Sequence, residues 1–169
     1  MLYLWPRYSP RLDARLYPKR ARLPELVRTP GRDLAARGDV DGVLGVLARI
    51  GERLLDSKSG VAVLFPGTID DRLRMAAHGL ETPVADGSLS DLALFRMLRV
   101  TRKEIARSSV FVEPQFENVR NELLGEFDRL GAEIVLPMLD ERERVAGALA
   151  LGPRAAEEPY EAFELDVLG

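Results

Sequence analysis

The chain has 169 residues, of which 46% are hydrophobic and 30% charged, with a net charge of −3 and no cysteine. This length suits one domain with an extension, and the composition is that of a soluble globular protein rather than a disordered one. Disulfides, thiolate metal sites and thiol chemistry are excluded, and no apolar run approaches the roughly 20 residues of a membrane span.

Residues 1–37 hold nine Lys or Arg (Arg7, Arg11, Arg15, Lys19, Arg20, Arg22, Arg28, Arg32, Arg37) against Asp13, Glu25 and Asp33, a net +6 that leaves −9 on the remainder. A basic arm on an acidic domain points to an anionic surface, phospholipid head groups or nucleic acid, or else to a solubilising linker. Pro6, Pro10, Pro18, Pro24 and Pro30 are too closely spaced for a long unbroken helix. The N-terminus lacks the apolar core of a secretion signal.

From Asp39, a plausible N-cap, the residues Val40, Val43, Leu44, Leu47, Ile50 and Leu54 recur at helical spacing. Gly42, Gly45 and Gly51 weaken this helix but let another helix approach closely. Val61–Phe65 reads as a buried strand ended by Pro66-Gly67. Arg72–His78 alternates, with Leu73, Met75 and Ala77 on one face and Arg72, Arg74 and His78 on the other, so the two runs form a hairpin. A loop over Leu80–Ser90 leads to a short helix marked by Leu92, Phe95 and Leu98. Ser109–Val112 reads as a brief strand stopped by Pro114. Phe116, Val119, Leu123, Leu124, Phe127 and Leu130 mark a second amphipathic helix, closed by Gly131. Glu133–Leu139 and Arg144–Leu151 make the clearest hairpin, turning through Asp140–Glu143. Pro159 precedes a final helix carrying Tyr160, Phe163, Val167 and Leu168. Strand pairs on tight turns with helices between them predict an α+β fold, a central antiparallel β-sheet flanked by helices, with the N- and C-terminal helices packed together on one face.

The stretch "LGAEIVLPMLDERERVAGALALGPRAAEEPYEAFELDVL", Leu130–Leu168, resembles the final third of a GAF domain. The resemblance is carried by Leu136-Pro137, the charged turn Asp140–Glu143, Gly147, Leu151-Gly152, Tyr160 and the helix from Glu161. "LDARLYPKRARLPELVR", followed by "LAARGDVDGVLGVLARIGERLL", is similar to the segment that joins a membrane region to a GAF domain in bacterial sensor histidine kinases. A PAS-like fold shares the sheet architecture and is the main structural competitor. The resemblance implies a basic juxtamembrane-like linker over 1–37 and a GAF-like sensor domain over 38–169, cut within its exit helix from a longer signalling protein, with a histidine kinase as the expected parent. It further implies a homodimer through the terminal helices, a cytoplasmic location in an inner-membrane protein, and an unidentified small-molecule ligand. The alternative is a ligand-free dimerisation scaffold. The resemblance also implies that the basic arm lies near an anionic membrane, with no nucleic acid expected as partner.

Within that family covalent bilin attachment commonly uses a cysteine, so no bilin is expected here. The Asn-Lys-Phe-Asp-Glu signature of cyclic-nucleotide binders is not recognisable, and the cysteines of free methionine sulfoxide reductases are missing. His78 is the one histidine; as a lone haem ligand it is the weaker reading beside a strand-end histidine. Two- and three-histidine metal sites are therefore excluded within one chain. The carboxylates of "DERERVAG" and "EEPYEAFELD" read as solvated turn and helix-start residues rather than a cation site. No G-x-S-x-G or phosphate-loop motif occurs, so the chain is expected not to be an enzyme. Phe65, Met75, Phe95, Phe111, Phe116 and Phe127 are bulky enough to line a pocket, though the simpler reading is that they are hydrophobic core. The candidate ligand-binding residues are Phe65, Met75, His78, Phe95, Arg96, Arg99 and Phe111.

Overall fold

The computed structural model describes residues 39–67, 71–80, 89, 92–140, 142–156 and 160. The basic linker, most of the loop from Leu80 and the exit helix from Glu161 lie outside the described residues. Helix α1 spans Val40–Leu55, capped by the Asp39 side chain, which accepts from the Gly42 amide. Strand β1 (Gly60–Leu64) and strand β2 (Arg74–His78) follow. Next come α2 (Ala93–Thr101), β3 (Ile105–Ala106) and the short α3 (Ser109–Val112). A 3₁₀ turn over Pro114–Val119 leads into α4 (Arg120–Leu130), and the hairpin β4 (Ile134–Leu139) and β5 (Val145–Leu151) completes the order.

The five strands form one antiparallel sheet in the order β2-β1-β5-β4-β3. The architecture is the expected α+β one. β1 and β5 sit at its centre, pairing Gly60 with Leu151, Ala62 with Leu149 and Leu64 with Gly147. Side chains alternate between two cores, as the pleat requires. Val61, Val63, Val135, Ala148 and Ala150 pack with Phe95, Leu98, Phe116, Leu123 and Phe127 beneath α2 and α4. Ala62, Ile134, Leu149 and Leu151 face Leu44, Ala48 and Leu55 of α1 on the other side. Among the described residues, no helix is long and apolar enough to cross a membrane.

The β4–β5 turn is held by one carboxylate. Asp140 Oδ1 accepts from the Arg142 and Arg144 amides at 2.8 and 2.9 Å, and Oδ2 accepts from the Arg144 guanidinium at 2.9 and 2.7 Å. These bonds, led by the Arg144 amide, hold the Asp140 carboxyl at about 2. Its folded value is depressed, so its contribution to the turn is present at neutral pH and is lost only as pH falls through that range.

Two neighbouring segments depart from expectation. Ser109–Val112 is a helical turn, and the edge strand is Ile105–Ala106, pairing with Val135 and Ile134. The Ser109 hydroxyl donates to Ala106 O at 2.9 Å and the Glu113 amide to Ser109 O at 2.9 Å, so the chain curls away as soon as the edge pairing ends. Val110 is consequently buried, while Phe111 and Val112 are exposed. The expected helix from Phe116 likewise begins as 3₁₀ after Pro114, which lacks an amide proton, and becomes α-helical at Arg120.

α1 lies so close to β1 that a Cβ at Gly60 would stand 2.1 Å from Ala48 O, while a Cβ at Gly45 meets nothing within 4 Å. Gly60→Ala is therefore expected to lower unfolding free energy by about 1–3 kcal/mol. Gly45→Ala, which relieves a helix-interior glycine, should raise it by up to about 1 kcal/mol. Urea denaturation midpoints of the two variants check both signs.

Candidate functional site

Phe65, immediately after β1, meets Phe95 of α2 with ring centroids 4.9 Å apart and planes inclined at 50°. Both are buried. Arg99, four residues along the same helix, places its guanidinium carbon 4.4 Å from the centre of the Phe65 ring. The i,i+4 spacing puts Phe95 and Arg99 on one helix face, and an Arg in the last turn also suits the helix dipole. Met75, partly buried, packs against the same core. Four of the candidate residues thus share the α2/α4 face of the sheet: an aromatic pair, a thioether and one cation above it.

The other three lie elsewhere. Arg96 reaches across the surface to Glu122 of α4, Nη2 to Oε1 3.3 Å, with both side chains about half exposed. Phe111 is 55% exposed on α3. His78 stands on the opposite face, its Nε2 2.7 Å from Glu52 Oε2 of α1. Beside it Arg74 Nη1 lies 3.2 Å from Asp41 Oδ1 of α1. The strand alternation that puts Met75 under α2 turns His78 toward α1, so no single pocket on one face takes in both. Among the described residues, no three His, Asp or Glu side chains converge as metal ligands.

Two features have no counterpart in the candidate set. The first is Glu126 of α4, 5% exposed, whose Oε1 and Oε2 accept from the Ala93 and Leu94 amides at 2.8 and 2.7 Å. α2 begins without a capping side chain at Leu92, and a carboxylate from another helix satisfies its first amides instead. Burial pushes the Glu126 carboxyl above its usual value, partly opposed by the Leu94 and Ala93 amides. In sequence the signal is a lone Glu inside the apolar stripe Leu123, Phe127, Leu130. The second is a surface cleft of about 360 Å3 at one end of the sheet, where the chain enters β1, leaves β2 and β5, and ends α4.

This sheet order, with a helix on one face and a helical layer on the other, is the GAF fold. No protein-family model and no curated protein sequence matches the chain. By structure it is similar to the GAF domain of an Acinetobacter phosphoenolpyruvate-protein phosphotransferase, with a TM-score of 0.60 at 10% identity over 86% of this chain and 85% of that one. A methyl-accepting chemotaxis protein gives 0.56 at 18% identity, over 83% and 86%. The GAF domain of the cyanobacteriochrome TePixJ gives 0.53 at 16% identity, over 79% and 84%.

Replacing Glu126 by Ala orphans two buried amides and opens a cavity, an expected loss of about 2–4 kcal/mol. Glu126→Gln keeps the volume and one acceptor and should lose about 1 kcal/mol at neutral pH. Because the folded value is raised, the stability linked to the protonated carboxyl is complete below the ordinary carboxylate range and declines as pH rises through the folded value. The gap between the parent and Glu126→Gln should therefore shift between pH 4 and 7.5. Urea midpoints across that range check it, and a pH-independent gap counts against the assignment.

Proposed function

We propose that this chain is a regulatory sensor module of a bacterial signal-transduction protein, passing a conformational signal through its terminal helices. The observation that carries the reading is the two-sided sheet. α1 and Tyr160 belong to one apolar cluster on one face, and the aromatic site beneath α2 and α4 belongs to another. A single layer of strands separates them. Tyr160 is held by its hydroxyl, which donates to Gly152 O at 2.5 Å, and by Arg154, whose guanidinium carbon lies 5.7 Å from the ring centre. That anchor places Tyr160 itself on the α1 side of the sheet, which supports a side-by-side arrangement of the terminal helices. In this reading residues 1–37 are a basic linker near an anionic membrane, 38–169 the sensor domain of a sensor kinase or related parent, and the active form a parallel homodimer. The structural neighbours that lend support are parts of a phosphotransferase, a chemotaxis protein and a cyanobacteriochrome.

The input of this reading is a small molecule bound against Phe65, Phe95 and Arg99, and it acts only by favouring one sheet–helix arrangement over another. A second reading, a ligand-free dimerisation scaffold, is favoured by close packing under α2 and α4, where Phe116, Leu98, Leu94 and Phe127 are at most 1% exposed.

The missing cysteines make one test direct. Arg49→Cys, on the exposed side of α1, is expected to give a disulfide-linked dimer under mild oxidation, while Glu133→Cys, exposed before β4, gives none. Native mass spectrometry of the full chain separates the two readings: a co-purifying small molecule supports sensing, a bare dimer supports the scaffold. A chain that stays monomeric and never cross-links at Arg49→Cys overturns both.

A further inference from the structure

We propose that the cleft at the end of the sheet is a binding site for a small anion, a phosphate- or carboxylate-bearing metabolite, held by Lys58 and Arg129. The cleft encloses about 360 Å3 between four chain segments far apart in sequence. That volume falls within the range of small-molecule sites.

Its walls are fixed before any ligand arrives. The Ser57 hydroxyl donates to Ser59 O at 2.6 Å and Gly152 O at 3.2 Å, and the Ser59 hydroxyl to Gly131 O at 3.4 Å. The Lys58 amide donates to Pro153 O and the Gly152 amide to Ser59 O, each at 2.9 Å. Gly79 (φ +69°) completes the rim, and a Cβ there would stand 2.2 Å from Lys58 O, so only glycine lets the end of β2 approach. A preformed rim of this kind spares the ligand the entropy of ordering it.

The charges decide the sign of the ligand. Among the described residues of the lining, Lys58 and Arg129 contribute two cations against the one carboxylate of Asp128. Arg107 lies against that carboxylate, Nη1 to Oδ1 2.6 Å, which offsets its charge. The C-terminal end of α4 would ordinarily repel an anion. Here the Asp128 and Phe127 carbonyls already accept from the Gly131 and Ala132 amides, and Gly131 O accepts from Ser59. Leu80 and Pro153 supply an apolar shoulder for the rest of a compact metabolite.

The test is a 1H–15N titration of the full chain with sodium phosphate and, separately, sodium malonate, at ionic strength held constant with sodium chloride. Saturable shifts are expected at the Lys58, Ser59, Gly79 and Gly131 amides. The probe that saturates at the lower concentration names the ligand as phosphate- or carboxylate-bearing. Lys58 is exposed, so Lys58→Gln should leave the rest of the spectrum in place while weakening binding about tenfold. Lys58→Arg, which keeps the charge, should hold affinity within about threefold. Linear shifts that never saturate, an unchanged affinity in Lys58→Gln, or shifts confined to residues 1–37 would each overturn the site.

Discussion

The central strand pair, β1 and β5, is buried on both faces, and the rest of the molecule is arranged around that constraint. A strand with solvent on one side can alternate apolar and polar residues; one covered on both sides cannot. "GVAVL" and "VAGALAL" accordingly hold no polar side chain. Their residues toward α1 include Gly60 and Ala62, and the helix backbone comes to rest against them. Opposite, Ala148 and Ala150 leave room for Phe95, Phe116 and Phe127. Small residues in the middle layer thus permit a large aromatic layer above and a close helix below. Interiors packed this way have low compressibility and transmit displacement rather than absorb it.

Polar contacts at the edges set register more than stability. Asp41–Arg74 and Glu52–His78 tie the two ends of α1 to the edge strand β2, and both pairs are partly exposed. Exposed pairs of this kind contribute about 0–1 kcal/mol each. What they supply is position, since α1 cannot rotate about its axis without parting them. Glu126 is a different case. It is buried, bonds two amides and makes the start of α2 depend on α4. A shift of either helix is therefore felt by the other.

The hairpins were legible in the sequence because their signals are local. Asp140 holds its turn with bonds spanning at most four residues, and Gly131 ends α4 at positive φ, as its position past a helical run suggests. Ser109–Val112 was not legible, because the run Val110, Phe111, Val112 has strand propensity and only the pairing of Ile105–Ala106 with β4 decides otherwise. The candidate site divided for a related reason. The period-two pattern of β2 separates Met75 from His78 correctly, yet which helix covers each face is a tertiary fact. Phe111, read on that strand, stands instead exposed on α3. Lys58 and Arg129 carry no sequence signal at all, since a surface lysine and a last-turn arginine are common and only folding brings them to one cleft.

The two proposed ligand sites differ in how directly they reach α1. A ligand at the proposed aromatic site would act through the thickness of the sheet, where Val61 and Val63 face one way and Ala62 the other. The sheet-end cleft needs no such relay. Lys58 lies three residues beyond the end of α1, and the intervening Ser57 donates its amide to Gly51 O at 3.1 Å, inside the last turn of that helix. Ser57 also binds Gly152 at the exit of β5 through its hydroxyl. The residue after Asp56, which closes α1 in the left-handed conformation, is thereby fastened to both the start and the end of the central strand pair. Tyr160 donates to the same Gly152 carbonyl. Ser57 beyond the end of α1 and Tyr160 therefore both bind one backbone carbonyl, next to Pro153 of the cleft, so a charge drawn against Lys58 would act one residue from that shared anchor.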